Sequence, residues 1–169
     1  MQLIVGDSSS LILLAKAGIL NELLQFTDII IPTVVYNEIM KGKEKNKQDA
    51  FYIEQYININ KIKIIDPAPK NILKISQLCN LDTGELHAIT LAKEANLNIL
   101  IDDRKGIIVC NRLAIRMHTA LLILNELAIE KLINNTKIEF ALNILMREGR
   151  YRDNEINFVF TNLKERGFL

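Results

Sequence analysis

Five short runs rich in Ile, Leu and Val constrain this chain more than any other feature: Gln2–Val5, Asp28–Ile31, Ile62–Ile65, Asn98–Ile101 and Ile115–His118. They are continuous rather than alternating, the pattern of strands buried on both faces, as in a parallel sheet. Helical periodicity fills the gaps between them. Ser9–Lys16 and Ile19–Gln25 follow the first run, and Pro32–Lys41 and Lys47–Ile57 the second. Lys70–Cys79 and Thr83–Ala95 precede the fourth, and Lys105–Leu113 the fifth. Ala120–Lys131, Lys137–Glu148 and Asn154–Arg166 close the chain. Strands alternating with helices over connections this long predict an α/β sandwich with right-handed crossovers. The stretch KGKEKNKQ, Lys41–Gln48, reads as a solvated loop between two helices.

Bulk properties narrow the class without naming a function. At 169 residues the length fits one domain, able to bury roughly two-thirds of its unfolded surface. With 49% apolar and 24% charged residues the chain is neither disordered nor membrane-spanning, since no apolar run reaches the roughly 18 residues a span needs. No basic leader with a small-residue cleavage pattern opens the chain. Cys79 and Cys110 have no CxxC spacing and read as buried thiols of a reducing cytoplasm. A net charge of +1 leaves any nucleic-acid contact to a local patch. No glycine-rich phosphate loop is present, and His87 and His118 lack HExxH spacing.

The acids fall at telling positions. Asp7 stands where the first strand stops, and Asp102–Asp103 where the fourth stops. Ligands of open α/β sheets bind at such carboxyl ends, in the crevice where strand order reverses. Each acid is equally readable as a helix N-cap, although one cap does not need two acids. Glu38, in PTVVYNEIM, shares a helix face with Val34 and Val35. A carboxylate leaning toward a core needs a partner, either a cation or a basic side chain. Glu85, in LDTGELHAITLAKEA, has capping-box spacing from Asp82 but opens the apolar face continued by Ala88, Ile89 and Ala92. Asp7, Glu38, Glu85 and Asp103 can all reach one end of a parallel sheet. Four converging carboxylates would repel without a cation, and oxygen-only ligands suit Mg²⁺ or Mn²⁺ rather than zinc.

These segments resemble a known family. Asp7-Ser8-Ser9-Ser10-Leu11 is similar to the opening motif of PIN domains, the fold of VapC-like toxin ribonucleases and related prokaryotic PIN-like proteins. IPTVVYNEI resembles the family's second-acid helix, and LDTGELHAITLAKEANLNILIDD the segment carrying its third and fourth acids. The likeness places Glu85 at the third acid and Asp103, in preference to Asp102, at the fourth. It runs from Gln2 to about Leu132, leaving residues 137–169 as a C-terminal helical appendage on a single PIN-like domain. Two departures stand out: Gly6 precedes the first acid, where it would loosen the strand end, and the third acid is Glu rather than Asp.

The resemblance implies a three-layer α/β sandwich with a five-stranded parallel sheet of order 3-2-1-4-5. The implied activity is metal-dependent hydrolysis of phosphodiester bonds, usually of RNA. Asp7, Glu38, Glu85 and Asp103 would then be catalytic metal ligands for Mg²⁺ or Mn²⁺, with Ser9 orienting Asp7 or a metal-bound water, or else capping a helix. Asp102 would support the ligands or cap a helix. Arg104, Lys105 and Arg112 are candidate phosphate contacts near the site, and Lys41, Lys43, Lys45 and Lys47 candidate RNA-backbone contacts. Expected partners are an RNA substrate, an antitoxin protein and a second copy of the chain, in the cytoplasm and without a membrane. The competing reading is a PIN-like module that binds nucleic acid or protein without turnover. A phospho-acceptor receiver fits less well, because its acid pair follows the first strand. A haloacid-dehalogenase-type phosphatase needs Asp-x-Asp there, and Ser9 occupies the second place.

Overall fold

The structure, a computed structural model, describes residues 2–169. Its first half comprises β1 (Gln2–Gly6), α1 (Ser8–Lys16), α2 (Leu20–Phe26), β2 (Thr27–Ile31), α3 (Thr33–Glu44), α4 (Gln48–Asn58) and β3 (Ile62–Ile64). The second comprises α5 (Pro69–Ser76), α6 (Thr83–Ala95), β4 (Asn98–Leu100), α7 (Arg104–Arg112), β5 (Met117–His118), α8 (Ala120–Ile129), α9 (Asn135–Glu148) and α10 (Asp153–Glu165). The strands form one sheet in the order β3-β2-β1-β4-β5, and every pairing is parallel. The expected α/β architecture and strand order are both present.

Burial on both faces holds for the centre of the sheet and fails at its edges. Val5, Ile29, Ile31, Ile99 and Leu100 are fully buried. In β3 only Ile62 is buried, while Lys63 and Ile64 are exposed, because an edge strand has one neighbour and incomplete helix cover. β5 is shorter than its apolar run: Ile115 N–H turns back to Cys110 O at 2.9 Å, closing α7 with Ala114 at φ 52°. Gly6 does not loosen its strand, since it stays in the ladder opposite Leu100. The predicted loop Lys41–Gln48 is a correction. Helix α3 runs on to Glu44, and a short turn with Asn46 at φ 54° joins it to α4. Lys and Glu are good helix formers, and Lys43 is held by Glu54 of α4 at 2.7 Å.

The C-terminal helices share the same core. Helix α8 is apolar on nearly all sides, with Leu121, Ile123, Leu124 and Leu127 buried, as a helix covered all round must be. Ile138, Leu142 and Leu145 of α9 and Val159 and Leu163 of α10 complete that cover within one continuous cluster. Each such side chain contributes about 2 kcal/mol by leaving water. No single helix among the described residues is long and apolar enough to cross a membrane.

Candidate active site

The strand order reverses between β1 and β4, and the two acid-bearing strand ends emerge side by side there. Asp7 N–H donates to Leu100 O at 3.1 Å, carrying the ladder one residue past Gly6. Asp7 is the N-cap of α1: its Oδ1 accepts from Ser10 N at 2.8 Å, and its Oδ2 accepts from the Ser9 hydroxyl at 2.8 Å. Only 3% of its surface is exposed. Burial pushes its carboxyl up to about 6, against the hydrogen bonds from Ser10 and Ser9 that favour the charged form. Cap and site are therefore the same residue, because the acid that caps α1 also lines a cleft.

That cleft, of about 480 Å³, brings together Asp7, Glu38, Glu85, Asp102 and Asp103 with Ser8 and Ser9. Glu38 has no basic partner within ion-pair distance among the described residues. Its Oε2 accepts instead from the Ser8 hydroxyl at 2.6 Å. The same carboxylate occupies the space beside Gly84 in the first turn of α6. A Cβ on Gly84 would stand 2.5 Å from both Glu38 oxygens. A helix-weakening glycine here makes room for an acid delivered by another helix.

Glu85 begins α6 as the periodicity predicts. Its carboxyl is pushed up to about 7, by burial first and then by the negative charge of Asp103, against a hydrogen bond from the Asp82 backbone. The capping spacing is thus half realised: Glu85 reaches back to Asp82, but the Asp82 side chain makes no cap. Glu85 Oε2 is buried with no hydrogen-bond partner among the described residues. An oxygen left this way costs about 1–3 kcal/mol.

The two adjacent acids divide their duties. Asp102 accepts from Ala120 N at 3.1 Å through both oxygens and from the Tyr151 hydroxyl, satisfying the start of α8 from across the sheet. Burial raises its carboxyl, and the Tyr151 hydrogen bond works in the opposite direction. Asp103 caps α7 with Oδ1 alone, accepting from Lys105 N at 2.7 Å and Gly106 N at 3.2 Å. Its Oδ2 receives no hydrogen bond among the described residues. Of the pair, Asp103 leaves one oxygen without a hydrogen bond among the described residues and Asp102 uses both.

The donor set fits a hard divalent cation in its chemistry: oxygens only, one of them buried and unpartnered, and two carboxyls held above their ordinary range. It is more open than a closed cage. Among the described residues, no three His, Cys, Asp or Glu side chains stand close enough to hold an ion by themselves. Mg²⁺ retains several waters and takes only one or two protein carboxylates beside its substrate, so a cleft this loose suits it better than a tighter-binding ion.

Of the predicted basic contacts, Arg104 and Lys105 are exposed and, like Arg112, do not line the cleft. Lys41 and Lys45 do not line it either, and Lys43 is engaged by Glu54 and the Phe51 ring. Neither histidine faces the acids. Sequence reasoning missed four contributors: Ser8, the room left by Gly84, the Tyr151 tether and Arg150 at the cleft wall. A glycine in a helix's first turn is the only sequence signal among them.

A family model described as "DUF3368: PIN domain" matches residues 3–165. No curated protein matches in sequence. Among solved structures, PAE2754 from Pyrobaculum aerophilum is similar at a TM-score of 0.53 and 14% identity, over 75% of this chain and 97% of its own. VapBC2 from Rickettsia felis, solved bound to a DNA fragment from its promoter, is similar at a TM-score of 0.50 and 15% identity, over 70% of this chain and 98% of its own. Both neighbours share the fold and are covered almost completely, whereas a quarter or more of this chain lies outside each match. With nearly its whole length matched by the family model, and with the sheet order and acid-bearing strand ends just described, this chain belongs to the PIN-domain family.

Proposed function

We propose that the chain is a divalent-metal-dependent ribonuclease whose metal site draws its ligands from Asp7, Glu38, Glu85 and Asp103, with waters and substrate completing a shell that these side chains do not close by themselves. The observation that carries this reading is the buried, unpartnered Oε2 of Glu85 in a cleft of carboxylates. Mg²⁺ or Mn²⁺ bound there would acidify a coordinated water and offset the negative charge of the scissile phosphate. The chain's own side chains prepare that chemistry. Ser9 fixes the rotamer of Asp7, Ser8 and Gly84 place the Glu38 carboxylate, and the α7 N-terminus orients Asp103. Asp7 and Glu85 are pushed up by burial first, then by the charge of Asp102 on Asp7 and of Asp103 on Glu85. Both would have to lose their protons to hold a cation, so affinity for the metal would rise with pH.

A toxin role beside an antitoxin is part of the proposal, supported by the family and by the fold shared with the VapBC2 complex. A reducing cytoplasm fits the two free thiols, Cys79 and Cys110. The open donor set favours one alternative, a PIN-like module that binds without turnover. A cleavage assay on single-stranded and structured RNA separates the two. The nuclease reading expects cleavage with Mg²⁺ or Mn²⁺, none in EDTA, and none from a folded Asp7→Asn protein. Cleavage that survives both EDTA and Asp7→Asn overturns the site. A wild-type protein that binds RNA without cutting it establishes the binding module.

A further inference from the structure

We propose that single-stranded nucleic acid leaves the acid cleft over Arg150 and continues along a groove between α1, α4 and α9, with Arg150 gripping the first phosphate. The inference rests on the nuclease reading for the identity of the strand, and on three independent features for its path.

The first is a free cation in an acidic setting. Arg150 lines the cleft beside Asp7, Glu85 and Asp103. Yet it makes no ion pair among the described residues. Attraction to so many carboxylates would ordinarily fold such a side chain onto one of them. The second feature explains what holds its backbone in place. The Tyr151 hydroxyl donates to buried Asp102, and the Tyr151 ring turns back against Gly149, where any Cβ would collide with it. Glycine before Arg150 and a tethered tyrosine after it fix the backbone at the cleft wall and leave the exposed Arg150 side chain to reach along it. Arginine's planar fork suits phosphate oxygens better than a lysine would.

The third feature is continuity. Lys16 and Glu148 line the acid cleft and also the adjoining groove of about 680 Å³, where Lys47, Tyr52 and Arg147 join them. Cations beside an aromatic ring form the usual bed for a single strand, phosphates on the charges and bases against the ring. Glu148 restrains this bed by pairing with Lys16 at 2.9 Å and with Arg147 at 3.0 Å. A strand that settles there competes with Glu148 for both cations.

The test is fluorescence anisotropy of a labelled 12-nucleotide oligouridylate on the Asp7→Asn chain with Mg²⁺, across a salt titration. Arg150→Ala should weaken binding about tenfold and flatten the log–log salt slope by about 0.7. Arg150→Lys should restore the slope and only part of the affinity. Glu148→Gln should tighten binding several-fold, a direction that a merely structural role does not give. Unchanged affinity and slope in Arg150→Ala, weaker binding in Glu148→Gln, no binding by any variant, or equal binding of an RNA duplex each overturns the path. Loss of the nuclease reading is seen separately: wild type that does not cleave, while Arg150 still governs binding, keeps the path and removes turnover.

Discussion

Two concave regions of this molecule differ in how they treat polar groups. Between α2 and α8, a pocket of about 320 Å³ is lined by Ile4, Leu23, Phe26, Ile123, Leu127 and Leu132. Three of its polar side chains pair with one another: Asn98 Nδ2 with His118 Nε2 at 3.4 Å, and His118 Nδ1 with Glu126 Oε1 at 3.1 Å. The cleft at the switch point does the reverse. Glu85 keeps a buried oxygen without a hydrogen-bond partner there among the described residues, and burial holds Asp7, Glu85 and Asp102 above their ordinary carboxyl range. A fold selected for stability alone would satisfy or remove these groups. The pocket pairs its central polar groups, whereas the cleft keeps carboxyls buried at a cost in stability.

The sharpest way to break the contrast is Gly84→Ala. Alanine is the better helix former by about 1 kcal/mol, so a cleft without function would gain stability from it. Here the new methyl displaces the Glu38 carboxylate, 2.5 Å from where the Cβ would stand. The expected result is a loss of cleavage of about tenfold or more, with a net destabilisation of about 1–2 kcal/mol. His118→Asn in the apolar pocket should leave cleavage within about twofold. A Gly84→Ala protein that is fully active and more stable would show that Glu38 has no fixed place in the site.

Tyr151→Phe examines the border between the two regimes. Asp102 is buried and depends on Ala120 N–H and the tyrosine hydroxyl. Losing the hydroxyl should cost about 1.5 kcal/mol at neutral pH. The sign with pH follows from linkage. The hydroxyl stabilises the charged carboxylate, so the variant's Asp102 is raised further, and the deficit should shrink as acid protonates it. Urea denaturation at several pH values measures this, and a deficit that is constant with pH would locate Tyr151's contribution in packing alone.

Much of this was legible in the sequence, for identifiable reasons. Continuous apolar runs marked the central strands because a parallel sheet covered on both faces leaves no polar alternation to obscure them. The edges were less legible. The short β5 depends on a helix end that takes the N–H of Ile115, and the exposed Ile64 reads like a core residue. Asp7, Glu38, Glu85 and Asp103 were found because each breaks a local pattern, a strand end or an apolar helix face. The partners of those acids were not found. Ser8 meets Glu38 across 30 residues and Tyr151 meets Asp102 across 49, and no local periodicity encodes contacts at such separation. The basic residues misled for the opposite reason. Lys41–Lys47 form a conspicuous run, yet helix α3 turns most of it away, while an isolated Arg150 reaches the cleft.

The smallest expected effect is the most direct measure of what the cleft costs the fold. Burial raises the Asp7 carboxyl from its ordinary 3.8 to about 6, so the folded chain holds that proton more tightly than the unfolded one. The folded state is therefore penalised progressively as pH rises from about 4 through about 6, and fully above that range. Asp7→Asn removes the titration. In EDTA at pH 8 it should be about 1 kcal/mol more stable than wild type, the relief of the buried charge outweighing the weaker cap on α1. Near pH 4, where wild-type Asp7 is largely protonated in the fold, the gain should vanish. Millimolar Mg²⁺ or Mn²⁺ should then reverse the order at pH 8. A cation at ten times its dissociation constant adds about 1.4 kcal/mol to the protein that binds it, and the variant has lost a ligand. A simple cap behaves otherwise: its loss lowers stability slightly at every pH, and metal shifts both proteins equally. Thermal melts of the two proteins at pH 4 and pH 8, each with EDTA and with metal, distinguish an acid kept for a cation from one kept for a helix.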